Sequence, residues 1–153
     1  MIEPTLNYVP CPGPAAASAP ATHADAAAAQ HRMAYWEWNA TGNPAYPHVV
    51  VCVHGLSRQG RDFDTLARSL SAHARVICPD VVGRGQSDWL ADPLGYQLPV
   101  YAADMLALLA HLKPRTLDWV GTSMGGLIGM AVCAHAAAVG VTVRRLVLND
   151  VGP

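Results

Sequence analysis

The chain has 153 residues, 52% of them hydrophobic and 14% charged, and a formal net charge of -1. That charged share is well under the roughly 25% of an average soluble chain. With one lysine (Lys113) and scattered arginines, it offers no basic stripe for nucleic acid. No apolar run nears the ~20 residues of a membrane span. Met1-Ile2-Glu3-Pro4 lacks the basic and apolar regions of a secretory signal. The expectation is one soluble, cytoplasmic domain with neither a nucleic-acid nor a membrane partner.

The pattern then runs in chain order. Positions 6–9 and 32–38 both look like strands and are expected to pair antiparallel. Between them, residues 12–30 are mostly Ala, Pro and Ser, with no large apolar side chain. Such a segment cannot offset its ordering entropy, so a flexible loop is expected, with a short helical turn at 26–30. Thr41-Gly42-Asn43-Pro44 makes a turn. Residues 48–53 are a β-branched run, as in a strand covered on both faces. Residues 60–72 read as a helix with Phe63, Leu66, Ala67 and Leu70 on one side. A second buried strand at 75–78 leads into a Gly- and Asp-rich loop at 79–92. A helix is expected over 99–112, with Pro99 in its first turn and Pro114 just past its end. A strand at 116–120, a Gly- and Ala-rich helix at 123–139 and a strand at 144–148 complete the order. This alternation predicts an α/β fold: a mostly parallel sheet with helices on both faces. Ligands bind such sheets at the carboxyl ends of the strands, where the unusual loops of this chain fall.

Cys11, Cys52, Cys78 and Cys133 lie far apart, with no C-x-x-C pair. Zinc sites usually draw two ligands from nearby positions, so no metal site is expected and the thiols read as small buried hydrophobes.

Three motifs carry chemistry. The strongest is Gly121-Thr122-Ser123-Met124-Gly125, a G-x-S-x-G that follows a strand and opens a helix. A serine on so sharp a turn has a strained backbone and an exposed Oγ. Gly121 and Gly125 remove the Cβ atoms that would collide. Ser123 therefore reads as a nucleophile; the competing reading is a serine N-cap on an ordinary turn. The second motif is His54-Gly55-Leu56, at the end of the strand over 48–53. Acyl transfer develops negative charge on the carbonyl oxygen, and the N–H groups of Leu56 and Met124 are the expected oxyanion donors. Gly55 lets the loop approach the elbow. His54 suits loop support better than general-base work. The third is Asp80-Val81-Val82-Gly83-Arg84-Gly85-Gln86-Ser87-Asp88, which reads as a compact turn with structural Ser87 and Asp88. It lacks the G-K-[ST] of a phosphate loop.

In this order and spacing, H-G, G-R-G-x-S-D and G-x-S-x-G resemble the α/β-hydrolase superfamily over about residues 32–153, with Leu148-Asn149-Asp150 similar to its sixth strand and following loop. The resemblance implies a Ser-His-Asp triad with Ser123 as nucleophile, no cofactor, and a small ester-like substrate. It also implies an incomplete core of about six strands, without the family's lid and last two strands. The family's chain order is Ser, acid, His. After Ser123 the only histidine is His135, about 18 Å along the same helix and out of reach. Asp150 is an alternative acid, set against a loop-capping role.

Two functional readings follow. One is the amino-terminal portion of an esterase-type serine hydrolase, with C–C hydrolysis, lactone opening, thioester hydrolysis and perhydrolysis sharing the same elbow. The other is a non-catalytic, truncated or vestigial hydrolase fragment. In either case the strand at 145–148 is expected to leave an apolar edge open to self-association.

Overall fold

The computed structural model describes residues 2–13 and 30–151. Most of the low-complexity stretch, with its expected loop and helical turn, lies outside the described residues. Six strands form one sheet in the order β1-β2-β4-β3-β5-β6. They are β1 (Thr5–Cys11), β2 (His31–Trp38), β3 (His48–Val53), β4 (Arg75–Pro79), β5 (Thr116–Thr122) and β6 (Thr142–Asn149). β1 and β2 pair antiparallel, with Cys11 opposite His31, and β2 joins β4 antiparallel. The pairs β3–β4, β3–β5 and β5–β6 are parallel. The mostly parallel α/β sheet expected from the sequence is present.

The helices divide between the faces because successive strand residues point to opposite sides. Val49, Val51 and Val53 of β3 face a core shared with Leu117, Trp119 and Ile77. Onto it pack α2 (Leu98–Leu112), through Met105, Leu108 and Leu109, and α3 (Met124–His135), through Ile128 and Val132. Val50 and Cys52 face the other way, toward Trp38, Val76, Cys78 and Ala67 of α1 (Asp64–Leu70). A fully buried Val, Leu or Ile contributes about 1.5–3 kcal/mol, so the central strands, buried on both faces, anchor the sheet. Cys11, Cys52 and Cys78 are buried and Cys133 is half-buried.

Two helix boundaries differ from expectation. The stretch 60–72 is not one α-helix: a 3-10 turn covers Gly60–Phe63 before α1 begins. The Gly60 amide donates to Asp80 Oδ1 at 2.7 Å, which pins the entry of the segment to the end of β4. Ala67 is buried, but Leu66 is 40% exposed, so the buried face is narrower than the pattern suggested. The expected helix 123–139 ends at His135 and tightens into a 3-10 turn, Ala136–Val139, before Gly140 at φ 77°. α2 closes as expected before Pro114, with Lys113 in the left-handed region at φ 51° and its amide bonded to Leu109 O at 2.9 Å.

α3 sits hard against β5. A Cβ on Gly129 would collide with the Trp119 indole, and Trp119 Nε1 donates to Gly125 O at 3.1 Å. Gly129→Ala is expected to destabilise the fold by about 1–3 kcal/mol, the usual cost of overpacking. The check is the urea midpoint, and an unchanged midpoint would show that α3 can move off β5 without cost.

Candidate active site

β5 delivers the chain to Ser123 and α3 carries it away, and the turn between them is strained. Ser123 has φ 52° and ψ -115°, a placement that costs a non-glycine residue about 1–3 kcal/mol. Its side chain makes no capping hydrogen bond to the helix. The backbone holds it instead: Ser123 N–H donates to Asn149 O at 2.9 Å, and Ser123 O accepts from Gly126 N–H at 2.9 Å. The flanking glycines are steric necessities. A Cβ on Gly121 would strike the backbone of Gly125 and Gly126, and one on Gly125 would strike the Val53 carbonyl. Ser123 is exposed.

The end of β3 lies against this turn. A Cβ on Gly55 would sit 3.7 Å from Ser123 Cβ. The first two motifs of the sequence are therefore in contact. As the first residue of α3, Met124 has no intrahelical acceptor for its N–H. Leu56 is 65% exposed, and its N–H makes no backbone bond among the described residues. Two unspent backbone donors thus flank Ser123.

His54 does not face the serine. Its Nδ1 donates to Gly55 O at 2.7 Å, and its Nε2 accepts from Val81 N–H at 3.0 Å. Both ring nitrogens are used, and the tautomer is fixed by its partners. The structure thus places His54 as a brace between two loops. The third motif is a support as well. Ser87 Oγ donates to Asp80 O at 2.6 Å and accepts from Ala34 N–H at 2.8 Å. Asp88 accepts from Arg32 N–H at 2.7 Å. Desolvation works against the Asp88 charge, but the Arg32 amide and guanidinium outweigh it and hold the carboxyl below its usual range.

Three residues to which the motifs assigned no role of their own tie these parts together. Buried Asp80 accepts from Gly60 N–H at 2.7 Å and Gln86 N–H at 2.9 Å. Arg84 donates from Nε to Leu56 O at 3.0 Å and from Nη1 to Val82 O at 2.9 Å. Arg58 lies beside Gly55 and donates to Asp62 Oδ2 at 2.6 Å. Nothing local in the sequence marks them, since each acts on a partner in another segment or on an open surface.

Asp150 is exposed and at φ 55°, just past the Asn149 carbonyl that holds Ser123. No hydrogen bond joins Asp150 or any histidine to Ser123 Oγ among the described residues. His135 is exposed at the far end of α3. His31 and His48 bond Asp104 at 2.8 Å and Asp118 at 3.0 Å. Away from the elbow, Cys11, His31 and Asp104 gather within 4.8 Å, all buried. That trio was invisible in the sequence because its members come from β1, β2 and α2. Burial, and then the Asp104 charge, push the Cys11 thiol far up. Burial also raises Asp104, against the pull of His31.

Burial pushes His54 below its ordinary value of 6.5, outweighing the Gly55 carbonyl bond that favours the charged ring. The unfolded chain takes up a proton as pH falls through that ordinary value, and the folded ring does so only lower. The His54 contribution is therefore full above the ordinary value and lost as pH falls below it. Between about pH 7 and pH 5, Tm is expected to fall more steeply in the wild type than in His54→Gln, which has no proton to gain. Parallel thermal-melt curves would show that the ring titrates normally.

A family model described as the alpha/beta hydrolase fold matches residues 48–151. The chain is 51% identical over 151 residues to a 3-hydroxybutyrate-oligomer hydrolase of Cupriavidus necator, covering 99% of this chain and 45% of that protein. It is 35% identical over 101 residues to a pimeloyl-[acyl-carrier protein] methyl ester esterase of Vibrio cholerae, covering 66% of this chain and 35% of that one. A solved alpha/beta hydrolase from Novosphingobium aromaticivorans superposes with a TM-score of 0.74 at 35% identity, over 100% of this chain and 46% of its own. The chain thus spans less than half the length of these relatives. With the family model covering most of its residues and the strand order and elbow in agreement, the chain belongs to the α/β-hydrolase family.

Proposed function

We propose that the full-length gene product containing this chain is a serine hydrolase of carboxylic esters, acting on short oligoesters of a hydroxy acid. The observation that carries the reading is the Ser123 elbow: a non-glycine residue at φ 52°, exposed, with the unspent Leu56 and Met124 amides beside it. The substrate class rests on the 51% identity to the 3-hydroxybutyrate-oligomer hydrolase.

In this reading Ser123 Oγ attacks the ester carbonyl carbon. Its proton passes to a histidine, a role that none of the histidines among the described residues is placed to fill, and the carbonyl oxygen becomes an oxyanion. The Leu56 and Met124 N–H groups donate to that oxygen. Each such donor contributes roughly 10²–10³ in rate because it is aimed before the charge forms. The alkoxide leaves with the proton from the histidine, and an acyl-enzyme remains on Ser123. Water then attacks the acyl carbon and regenerates the serine. The N-terminus of α3 adds its dipole to the same point. His54, Gly55, Gly121 and Gly125 hold the geometry, and Asp150 is the acid that lies nearest in sequence to the elbow's Asn149 anchor.

The test uses the full-length gene product with p-nitrophenyl acetate and with a 3-hydroxybutyrate oligomer. Ser123→Ala is expected to lower kcat at least about 10³-fold on both. A fluorophosphonate probe is expected to label the wild type on the Ser123 peptide. Residues 1–153 alone are expected to give negligible turnover, since no base reaches Ser123 among the described residues. Unchanged hydrolysis in Ser123→Ala would sink the reading. A wild-type protein with neither turnover nor labelling would favour the non-catalytic alternative.

A further inference from the structure

Beside the elbow lie two hollows that share two residues. One, of about 180 Å³, is lined by His54, Gly55, Arg58, Asp62, Phe63 and Thr122. The other, of about 380 Å³, is lined by Ser57, Arg58, Gln59, Asp62, Arg84 and Gly85. Arg58 and Asp62 stand between them. A Cβ on Gly55 would lie 3.7 Å from Ser123 Cβ and 4.0 Å from Arg58 Cγ, so one methyl group would bridge the two side chains. The Arg58 stem therefore passes close to the elbow.

The two arginines of the larger hollow differ in what they have left to give. Arg84 is committed: it donates to the Leu56 and Val82 carbonyls and lies 5.3 Å over the Tyr101 ring. Arg58 spends only Nε, on Asp62 Oδ2 at 2.6 Å. Its two Nη groups have no protein acceptor among the described residues, and its side chain is 67% exposed. Asp62 cancels one positive charge, so the hollow keeps a net positive charge from Arg58 and Arg84. A guanidinium held at Nε with both Nη groups unpaired is a fork that fits a carboxylate.

We infer that Arg58 binds the free carboxylate end of the substrate, making the site selective for oligoesters that end in an acid. This rests on the hydroxy-acid oligoester reading above. In an oligomer of a 3-hydroxy acid, the terminal carboxylate carbon lies three bonds beyond the oxygen of the last ester. A carbonyl seated on Ser123 with its oxygen toward the Leu56 amide therefore places that carboxylate one short spacer away. The Arg58 stem and the Ser123 side chain both come within 4.0 Å of one Cβ position on Gly55. Because the guanidinium is exposed and partly offset by Asp62, the expected preference is moderate, about tenfold.

The experiment compares the 3-hydroxybutyrate dimer as free acid with its neutral carboxamide, using the full-length gene product and measuring kcat/KM for each. The wild type is expected to favour the acid by about tenfold or more, chiefly through KM, and to lose that preference as salt is raised. In Arg58→Gln the acid-to-amide ratio is expected to fall to about one, and in Arg58→Lys to keep part of its value. A wild-type ratio near one, a ratio insensitive to salt, or an unchanged ratio in Arg58→Gln would overturn the assignment. If Ser123-dependent p-nitrophenyl acetate hydrolysis is present but neither dimer is cleaved, the oligoester reading fails and takes Arg58 with it. If both dimers are cleaved without discrimination, Arg58 fails alone.

Discussion

The contact on which the rest of the site depends is the one between Gly125 and the end of β3. No side chain fits there: a Cβ on Gly125 would enter the Val53 carbonyl and come within 2.9 Å of His54 O. That closeness sets the start of α3 directly beside the His54-Gly55-Leu56 turn. It also fixes the path of Ser123, which must bend through φ 52° to leave β5 and enter the helix. A cost of about 1–3 kcal/mol for such a residue is tolerable because the neighbours over-determine it. Asn149 O holds its amide, Gly126 N–H holds its carbonyl, and Trp119 beneath holds Gly125 O. The Leu56 and Met124 segments are then brought together by this packing, with Arg84 holding the Leu56 carbonyl.

Below the elbow, polar groups that would be costly to bury alone satisfy one another. His54 links Gly55 O to Val81 N–H, so the loop after β3 is tied to the loop after β4. Asp80 adds the entry of α1 through Gly60 and the G-R-G turn through Gln86. Arg84 closes the circuit by holding Leu56 O. Each of these is a bond between segments far apart in sequence, and an unsatisfied member would cost about 1–3 kcal/mol. The result is a rigid floor at the carboxyl edge of the sheet. Its rigidity comes from hydrogen bonds with fixed geometry, whereas the apolar faces of the sheet supply most of the stability.

How much of this the sequence could disclose follows from the range of each interaction. The strands, the two long helices and the elbow were legible because period-two and period-3.6 patterns and the G-x-S-x-G spacing are local. Pro99 and Pro114 bracket α2 for the same reason. The break at Gly60–Phe63 was not legible, because what pins it is the Asp80 carboxylate some twenty residues later. Asp80 opens the Gly-rich turn motif, but its bond to Gly60 twenty residues earlier leaves no local mark. The Cys11-His31-Asp104 trio was hidden by the distance between β1, β2 and α2, although Cys11 and His31 face each other across one ladder. Ser87 and Asp88 were readable as turn supports, since short polar side chains serve nearby backbone, but their partners in β2 were not.

The scarcity of charge fits a site whose proposed donors are backbone amides. With 14% charged residues, most cations are already committed to the fold. Arg32 lies over Tyr8 and pairs with Asp88. Arg61 lies over Trp36 and pairs with Asp64. Arg68 lies over Trp38. Arg75 pairs with Glu37, and Arg145 with Asp118 at the opposite end of the sheet, beside His48. Stacking guanidinium groups on aromatic rings lets a charge-poor chain cover apolar surface while keeping its heads wet. It also removes those groups from any encounter with a ligand. In the proposed reaction the negative charge of an oxyanion would be met by amides and a helix terminus, which cost no reorganisation and cannot be neutralised by a neighbouring acid. Arg58, whose Nη groups have no acceptor among the described residues, is the exception near the end of β3, and the proposed carboxylate contact would use a charge that belongs to the ligand and persists through the reaction.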